Sequence, residues 1–298
     1  MYAKYRCSFR VNSYLKIKGE LQICLEPFNN AELVLHPSDG TANTGKIQVK
    51  IRERDEKLAR SYANEALRVF FDLISIQHNT HYDSLQIETC QLENPEDWES
   101  KPKVGIKILP SNAVIVGPFS QGNLEELSKK LHLLYGLDRL KQEHLMKFLR
   151  AYAESEQKLH PNYQFQRRWS ALDVIISDPH NLRMTPNAIR NFICQRFPVD
   201  KAKEIIQRHQ TTIDILAQAN LHKFRASATN YSNDLAAELK GKRPDMKKVL
   251  ELILLCLYEI KNSISHRSEI PTTLPDISQP NRMLKDILIE FWKFQSSV

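Results

Sequence analysis

The chain has 298 residues, of which 42% are hydrophobic and 26% are charged. This balance is ordinary for a globular protein and excludes a disordered or fibrous chain. The length exceeds the roughly 100–200 residues of one domain, so we expect two. The start, MYAKYRCSF, is unlike a signal peptide, and no apolar run approaches the roughly 20 residues of a membrane span. We therefore expect a cytoplasmic protein without a membrane partner.

The positive charge of the chain is concentrated in its second half. Residues 1–134 contain 17 Lys and Arg against 17 Asp and Glu, whereas residues 135–298 contain 25 against 18. The whole net charge of +7 therefore belongs to the second half. A basic segment favours an acidic partner such as nucleic acid, although many basic domains bind none.

The five cysteines are odd in number and widely scattered, and several lie inside apolar patterns such as LQICLE and ILLCLY. Neither the spacing nor the surroundings are typical of a zinc site or a disulfide framework. We expect all five to be reduced residues of the core.

The first domain is predicted as α+β over residues 1–122. Apolar and polar residues alternate in AKYRCSFRV, ELQICLEPF, AELVLH and KIQVKIRE, and again in SLQIETCQL and KVGIKIL. This period of two indicates the strands of an antiparallel sheet. Residues 55–77 change to the spacing of an amphipathic helix behind an acidic first turn. The domain is expected to end at the turn-rich stretch GPFSQGN.

The second domain, residues 123–298, is predicted as an all-α helical bundle. Seven segments carry apolar residues at helical spacing: 124–136, 138–157, 162–177, 185–197, 200–224, 245–266 and 281–294. Proline and glycine in HPN, SDPH, FPVD, GKRPD and PTTLPDISQP separate most of them.

Two short stretches resemble ligand sites. Residues 40–47, GTANTGKI, have the glycine and lysine spacing of a phosphate-binding loop, but Ile47 occupies the position that needs Ser or Thr, so a hairpin connection is favoured. The stretch HNTHYD offers His78, His81 and Asp83 as metal ligands, yet no further Cys or His cluster completes the set. A polar loop is the better interpretation, and we expect no metal and no cofactor.

The most hydrophobic segment of the chain, residues 249–260, is apolar around nearly its whole circumference. A helix of this kind is buried by neighbouring elements, which can include a second subunit. Four polar residues follow it directly: Lys261, Asn262, His266 and Arg267. Basic side chains stabilise the negative end of a helix by about 0.3–1 kcal/mol each, so helix capping alone explains three of them. An active site is the alternative.

The spacing of these residues limits what they can do together. Asn262 and His266 are four residues apart and share one face of a helix. Lys261 lies about 140° away from His266 around a regular helix. To act on one phosphate group, the last helical turn must loosen, or the groups must serve paired sites across a dimer.

The segment LLCLYEIKNSISHRSE resembles the last long helix of HEPN domains, whose pattern is Arg, a polar residue, three further residues and His. Here the pattern begins with Lys261 and Asn262 and ends with His266. The upstream segment RRWSALDVIIS is similar to the segment of the Apea-like HEPN branch that ends in an acidic residue, matched by Asp173. The resemblance covers roughly residues 135–298 and implies that the helical bundle is HEPN-like.

The resemblance implies a metal-independent endoribonuclease that acts as a homodimer in antiviral defence or as a toxin. Cutting RNA without a metal uses the 2′-OH as nucleophile and needs a proton carrier and a fixed positive charge. His266 would carry the proton, Asn262 would orient it or the phosphate, and Lys261 would supply the charge. Arg267, Arg167 and Arg168 would contact the RNA, and Asp173 would support the site. The N-terminal domain is the candidate regulator.

This sequence departs from the HEPN pattern at two positions. Lys261 replaces the family's Arg and lacks its planar fork for phosphate oxygens, and the glycine that often follows the family's His is missing. The alternative is therefore a catalytically degenerate HEPN protein that binds RNA, an antitoxin or another protein of a defence complex.

Overall fold

The structure is a computed structural model that describes residues 2–13, 20–36, 42–78, 81–93, 121–157, 160–177, 185–221, 230–267, 274 and 276–295. The chain divides into two compact units, Met1–Gln142 and Glu143–Val298. The boundary expected at residue 122 falls in the first turn of a helix, α2 (Gln121–Gly136), that belongs to the first unit. There Tyr135 packs edge-on against Phe28, with ring centroids 5.0 Å apart.

The first unit contains an antiparallel sheet of five strands, as the alternating pattern predicts. Its strands are β1 (Ala3–Ser13), β2 (Leu21–Leu25), β3 (Ala31–Leu35), β4 (Ala42–Ile51) and β5 (Tyr82–Leu92). They lie in the order β2-β3-β4-β1-β5. A long helix, α1 (Glu56–His78), packs against one face of this sheet. The strand predicted over residues 103–109 lies outside the described residues.

The core of the first unit lies between α1 and the odd-numbered side chains of β1. Tyr5, Phe9 and Val11 are buried there, and the even-numbered residues between them face away. Gly45 of β4 lies opposite Phe9, where an added Cβ would sit 2.2 Å from the Val34 carbonyl oxygen. Only a residue without a side chain fits this position.

The stretch that resembles a phosphate-binding loop forms part of the sheet. Residues 42–47 belong to β4, which pairs antiparallel with β3 as expected for a hairpin. Because Gly45 and Lys46 lie within a strand, they cannot form the loop before a helix that cradles a phosphate. Residues 37–41 lie outside the described part of the chain.

The expectation that every cysteine is unpaired is wrong for one pair. Cys7 and Cys90 lie directly opposite each other on β1 and β5, and their sulfur atoms are 2.09 Å apart, a disulfide. The two residues are 83 positions apart in the sequence, so only strand pairing brings them together. Cys24, Cys194 and Cys256 are free, and burial raises the pKa of the Cys256 thiol.

The second unit is helical, as predicted. Its helices are α3 (Arg139–Ser155), whose first turn precedes the unit boundary, α4 (Pro161–Ile176), α5 (Pro186–Asn191), α6 (Val199–Arg208), α7 (Gln210–Gln218), α8 (Tyr231–Leu239), α9 (Met246–Arg267) and α10 (Ser278–Gln295). A π-helical turn, Phe192–Arg196, continues α5. None of the helices in the described ranges has the length and apolarity needed to cross a bilayer.

Two details of the helical unit differ from the predicted segments. The helix expected over residues 200–224 is divided at His209, whose ring Nε2 lies 2.9 Å from Asp286 Oδ2 on α10. Helix α8 was not predicted, because it is short and its amphipathic pattern is weak. Its start is fixed by Asn230, whose side chain accepts a hydrogen bond from the Asn233 amide at 3.1 Å.

Helix α9 is the central element of the second unit and contacts α4, α5, α6, α7 and α8. Residues 249–257 are all buried, including Glu251, which is 1% exposed. The Glu251 carboxylate is paired with Arg190 Nε and Lys248 Nζ, each at 3.0 Å. The neighbouring helices of the same chain are therefore enough to bury α9. A second subunit is not needed to cover its apolar surface.

Candidate functional site

The two segments that carry the resemblance pack against each other. Helices α4 and α9 run side by side. The Trp169 and Tyr258 rings have centroids 5.8 Å apart, and Gln166 Nε2 lies 3.5 Å from Ser265 Oγ. Residues nearly a hundred positions apart in the sequence thus form one continuous contact between α4 and α9.

Lys261 lies close enough to Asp173 to influence the pKa of its carboxyl, although the two side chains form no salt bridge in the described structure. Lys261 Nζ lies 5.9 Å from the centroid of the Tyr258 ring, one turn back along α9. Burial raises the pKa of the Asp173 carboxyl to about 6, and the Lys261 ammonium and the Trp169 indole partly oppose that rise. A carboxyl with a pKa near neutrality beside a cation is a feature of many functional sites and of some structural ion pairs.

Asn262 and His266 lie on one face of α9, one turn apart, but differ in exposure. Asn262 is 6% exposed, whereas His266 is exposed at the end of the helix. No hydrogen bond of the Asn262 side chain is found to another residue in the described part of the chain. Its amide atoms are not among the fully buried polar atoms that lack a partner, so the group keeps some access to solvent on the same helix face as His266.

The last turn of α9 does not loosen. The helix continues through Arg267, so Lys261 and His266 keep the separation of about 140° that a regular helix imposes. Lys261 folds back towards Tyr258 and Asp173, whereas His266 is one and a half turns further on. Within one chain, Lys261 and His266 therefore point to different sides of α9.

The prediction that Arg168 contacts RNA is wrong. Arg168 is 5% exposed and points into the helical unit. Its guanidinium donates to Glu156 Oε1 at 2.7 and 2.9 Å and to the carbonyl and side-chain oxygens of Asn281 at 2.9 and 2.8 Å. Lys285 also binds the Glu156 carboxylate. Arg168 therefore joins α4 to α3 and α10 as part of the core.

The other two arginines that were assigned to RNA contact are placed differently. Arg167 is exposed, with a loose ion pair of 3.6 Å to Glu154, and remains available to a partner. Arg267 is the last residue of α9, and its side chain lies outside the described part of the structure.

In the described part of the polar stretch after α1, one histidine lies near an aspartate. His81 Nε2 lies 3.7 Å from Asp83 Oδ1. Among the described residues, no group of three or more His, Cys, Asp or Glu side chains could hold a metal ion.

Four members of the α4–α9 contact were not predicted as site residues: Gln166, Trp169, Tyr258 and Ser265. Gln166, Trp169 and Asp173 are spaced at i, i+3 and i+7, so they occupy one face of α4. This spacing could have identified them as neighbours of one another. It does not identify α9 as the helix that they contact.

Comparison with known proteins returned no match: no family model, curated protein or solved structure is significantly similar to the chain. The function must therefore be inferred from the residues of this chain and their arrangement.

Proposed function

We propose that this chain is a metal-independent endoribonuclease of the HEPN type, acting as a homodimer in a defence or toxin system. The observation that supports it best is the contact between α4 and α9. Both segments that resemble HEPN sequence lie in this contact, with Asp173 near Lys261, while His266 is exposed where α9 ends.

The proposed chemistry needs no cofactor. The 2′-OH of the RNA attacks the adjacent phosphorus, and the 5′-oxygen leaves with a proton, giving a 2′,3′-cyclic phosphate end. His266 takes or delivers the proton, which an imidazole can do near neutral pH. Asn262 orients the ring or the phosphate from the same helix face. Lys261 stabilises the negative charge of the transition state, and the Asp173 carboxyl lies near it.

The separation of Lys261 and His266 makes the dimer part of the proposal. A twofold axis near the end of α9 would bring His266 of one chain towards Lys261 of the partner subunit, since such an interface presents the same patch twice. Each dimer would then contain two composite sites. A monomeric enzyme would lack one of the two groups in each site.

Cleavage of RNA in EDTA tests the activity. Purified protein is expected to cut mixed RNA and leave 2′,3′-cyclic phosphate ends, whereas DNA without a 2′-OH should remain intact. His266→Ala should abolish the cutting, and His160→Ala, which alters an exposed histidine before α4, is the matched control. Cutting that survives His266→Ala at the wild-type rate would refute the assigned role.

Mixing two inactive variants tests the composite site. When His266→Ala and Lys261→Ala proteins exchange subunits, half of the dimers are mixed and each contains one intact site. We therefore expect recovery of about a quarter of the wild-type activity. If both groups act within one chain, the mixture will stay as inactive as its components.

A second candidate function is RNA or protein binding without turnover. It is favoured by the position of Lys261 near Asp173, because the carboxylate offsets part of the positive charge that a phosphate would need. Retention of RNA without cleavage, unchanged by His266→Ala, would support this function instead.

A further inference from the structure

The side of the sheet that faces away from α1 has a concentration of basic residues. Because side chains alternate along a strand, Lys4, Arg6 and Arg10 of β1 all point to this side. The strand register adds two lysines of β4, since Lys50 lies opposite Lys4 and Lys46 lies opposite Ser8. We name these five residues the basic face.

The five cations are close neighbours. Lys46 lies opposite Ser8 and is therefore diagonal to both Arg6 and Arg10. Residues directly opposite on paired strands are about 5 Å apart, and diagonal neighbours are about 7–8 Å apart. Arg6, Arg10 and Lys46 are exposed, and Lys50 is half-buried. The cations thus form one patch on two adjacent strands.

Among the described residues, acidic side chains offset only part of the charge of this patch. On the same side of the sheet, the strand register places Glu32 opposite Gln48, and Glu93 pairs with Arg6. Arg10, Lys46 and Lys50 form no ion pair with any residue in the described ranges. Lys4 and Lys50 lie directly opposite each other. An anionic ligand across the face would be attracted to Arg10, Lys46 and Lys50.

We propose that the basic face binds the phosphate backbone of single-stranded RNA. Polar side chains that can bond to ribose and bases surround the cations, namely Ser8, Asn12, Thr44, Gln48, Gln86 and Thr89. An open sheet presents these groups on one shallow surface, which an extended strand can follow. RNA is chosen as the ligand because the proposed function is a ribonuclease, so this choice rests on the proposed function.

The composition of the face indicates a sequence-tolerant contact. No aromatic residue of β1 or β4 points to this side, so base stacking contributes little and the attraction is mainly electrostatic. A lipid surface is less suitable, since the side chains around the cations are mostly polar, with Val34 opposite Lys46 as an exception. The net charge of zero for residues 1–134 conceals the patch, because the balancing acidic residues lie elsewhere.

Binding of a fluorescent single-stranded oligouridine to the full chain tests the inference. The chain carries His266→Ala so that the RNA stays intact, and anisotropy is measured over a range of salt concentrations. Adding Arg10→Ala and Lys46→Ala should weaken binding about tenfold or more at low salt. The slope of log K against log salt should fall by about 1.4, because each lost phosphate contact in a single strand contributes about 0.7.

Two matched variants keep the result interpretable. Lys57→Ala with Arg68→Ala removes the same charge from the exposed side of α1 and should change the affinity less than twofold, within ordinary scatter for distant charges. Arg10→Lys with Lys46→Arg preserves the charge and should retain binding. Circular dichroism confirms that each protein is folded.

The outcomes separate this inference from the proposed enzyme. If the α1 variant weakens binding as much as the sheet variant, or if the protein binds anionic vesicles and not RNA, the basic face is not an RNA site. If cleavage depends on His266 but the Arg10→Ala, Lys46→Ala variant binds RNA normally, the basic face is not an RNA site. The proposed ribonuclease activity would stand. If binding depends on Lys46 and the wild-type chain cuts no RNA, the basic face is supported as an RNA site. The proposed ribonuclease activity would be refuted.

Discussion

Replacing Asp173 with Asn should stabilise the helical unit at neutral pH. In the folded chain, burial raises the pKa of this carboxyl from 3.8 to about 6. The folded state therefore binds the proton more tightly than the unfolded state. The stability that comes from the protonated carboxyl is fully present below about pH 4 and is lost as the pH rises through about 6. An amide does not titrate and avoids that loss.

The size of the effect follows from the shift of the pKa. One pKa unit corresponds to about 1.4 kcal/mol, so a shift from 3.8 to about 6 gives at most about 3 kcal/mol. Because the carboxyl is only partly buried, on the order of 2 kcal/mol is the better expectation for Asp173→Asn above about pH 7. The advantage should vanish near pH 4, where the wild-type carboxyl is protonated in both states.

Urea unfolding followed by tryptophan fluorescence measures this difference. Trp169 and Trp292 are 1% and 2% exposed in the second unit, so their emission reports its unfolding. Trp98 lies outside the described residues and should be replaced with Phe in every protein compared. Asp214→Asn, at an exposed position on α7, is the control and should leave the stability nearly unchanged at both pH values.

A destabilised Asp173→Asn protein at pH 7.5 would refute this reasoning. It would mean that the attraction between the carboxylate and Lys261 exceeds the desolvation of the carboxyl. A difference of the same size at pH 4 and pH 7.5 would show that the substitution acts through packing and not through ionisation.

Three further substitutions test the packing, each through the free energy of unfolding in urea. Arg168→Met should cost about 3–5 kcal/mol, because the buried Glu156 carboxylate loses the guanidinium that binds it, and a cost below 1 kcal/mol would contradict the buried network. Gly45→Ala should cost at least about 1–3 kcal/mol, since its Cβ would overlap the Val34 carbonyl oxygen, and an unchanged midpoint would contradict the close approach. Asn230→Ala should cost about 1 kcal/mol by removing the cap of α8, whereas Asn230→Asp should retain most of the stability.

Sequence periodicity predicted the elements of this protein well because it reflects local geometry. The alternation in AKYRCSFRV corresponds to the buried and exposed sides of β1, and the fully apolar segment before Lys261 corresponds to the buried part of α9. Local pattern failed where a contact from elsewhere decided the backbone. The break at His209 is an example, since its partner Asp286 is 77 residues further along the chain.

The candidate site was predictable only in part. Its helix spacing places Asn262 and His266 on one face and Lys261 on another, which the regular α9 retains. The sequence did not distinguish Arg167 from Arg168, although one is exposed and the other is buried. That difference depends on where Glu156 and Asn281 lie in three dimensions.

Alternation and helical spacing were enough to predict the five described strands, most of the helices and the side of each strand on which a residue lies, because these features follow from backbone geometry within a few residues. Which residues contact each other depends on how the strands and helices pack. Strand pairing joined Cys7 to Cys90 and assembled the basic face, and helix packing brought Asp173 near Lys261. These contacts join positions from about 40 to 90 residues apart, and no local pattern encodes such a pairing.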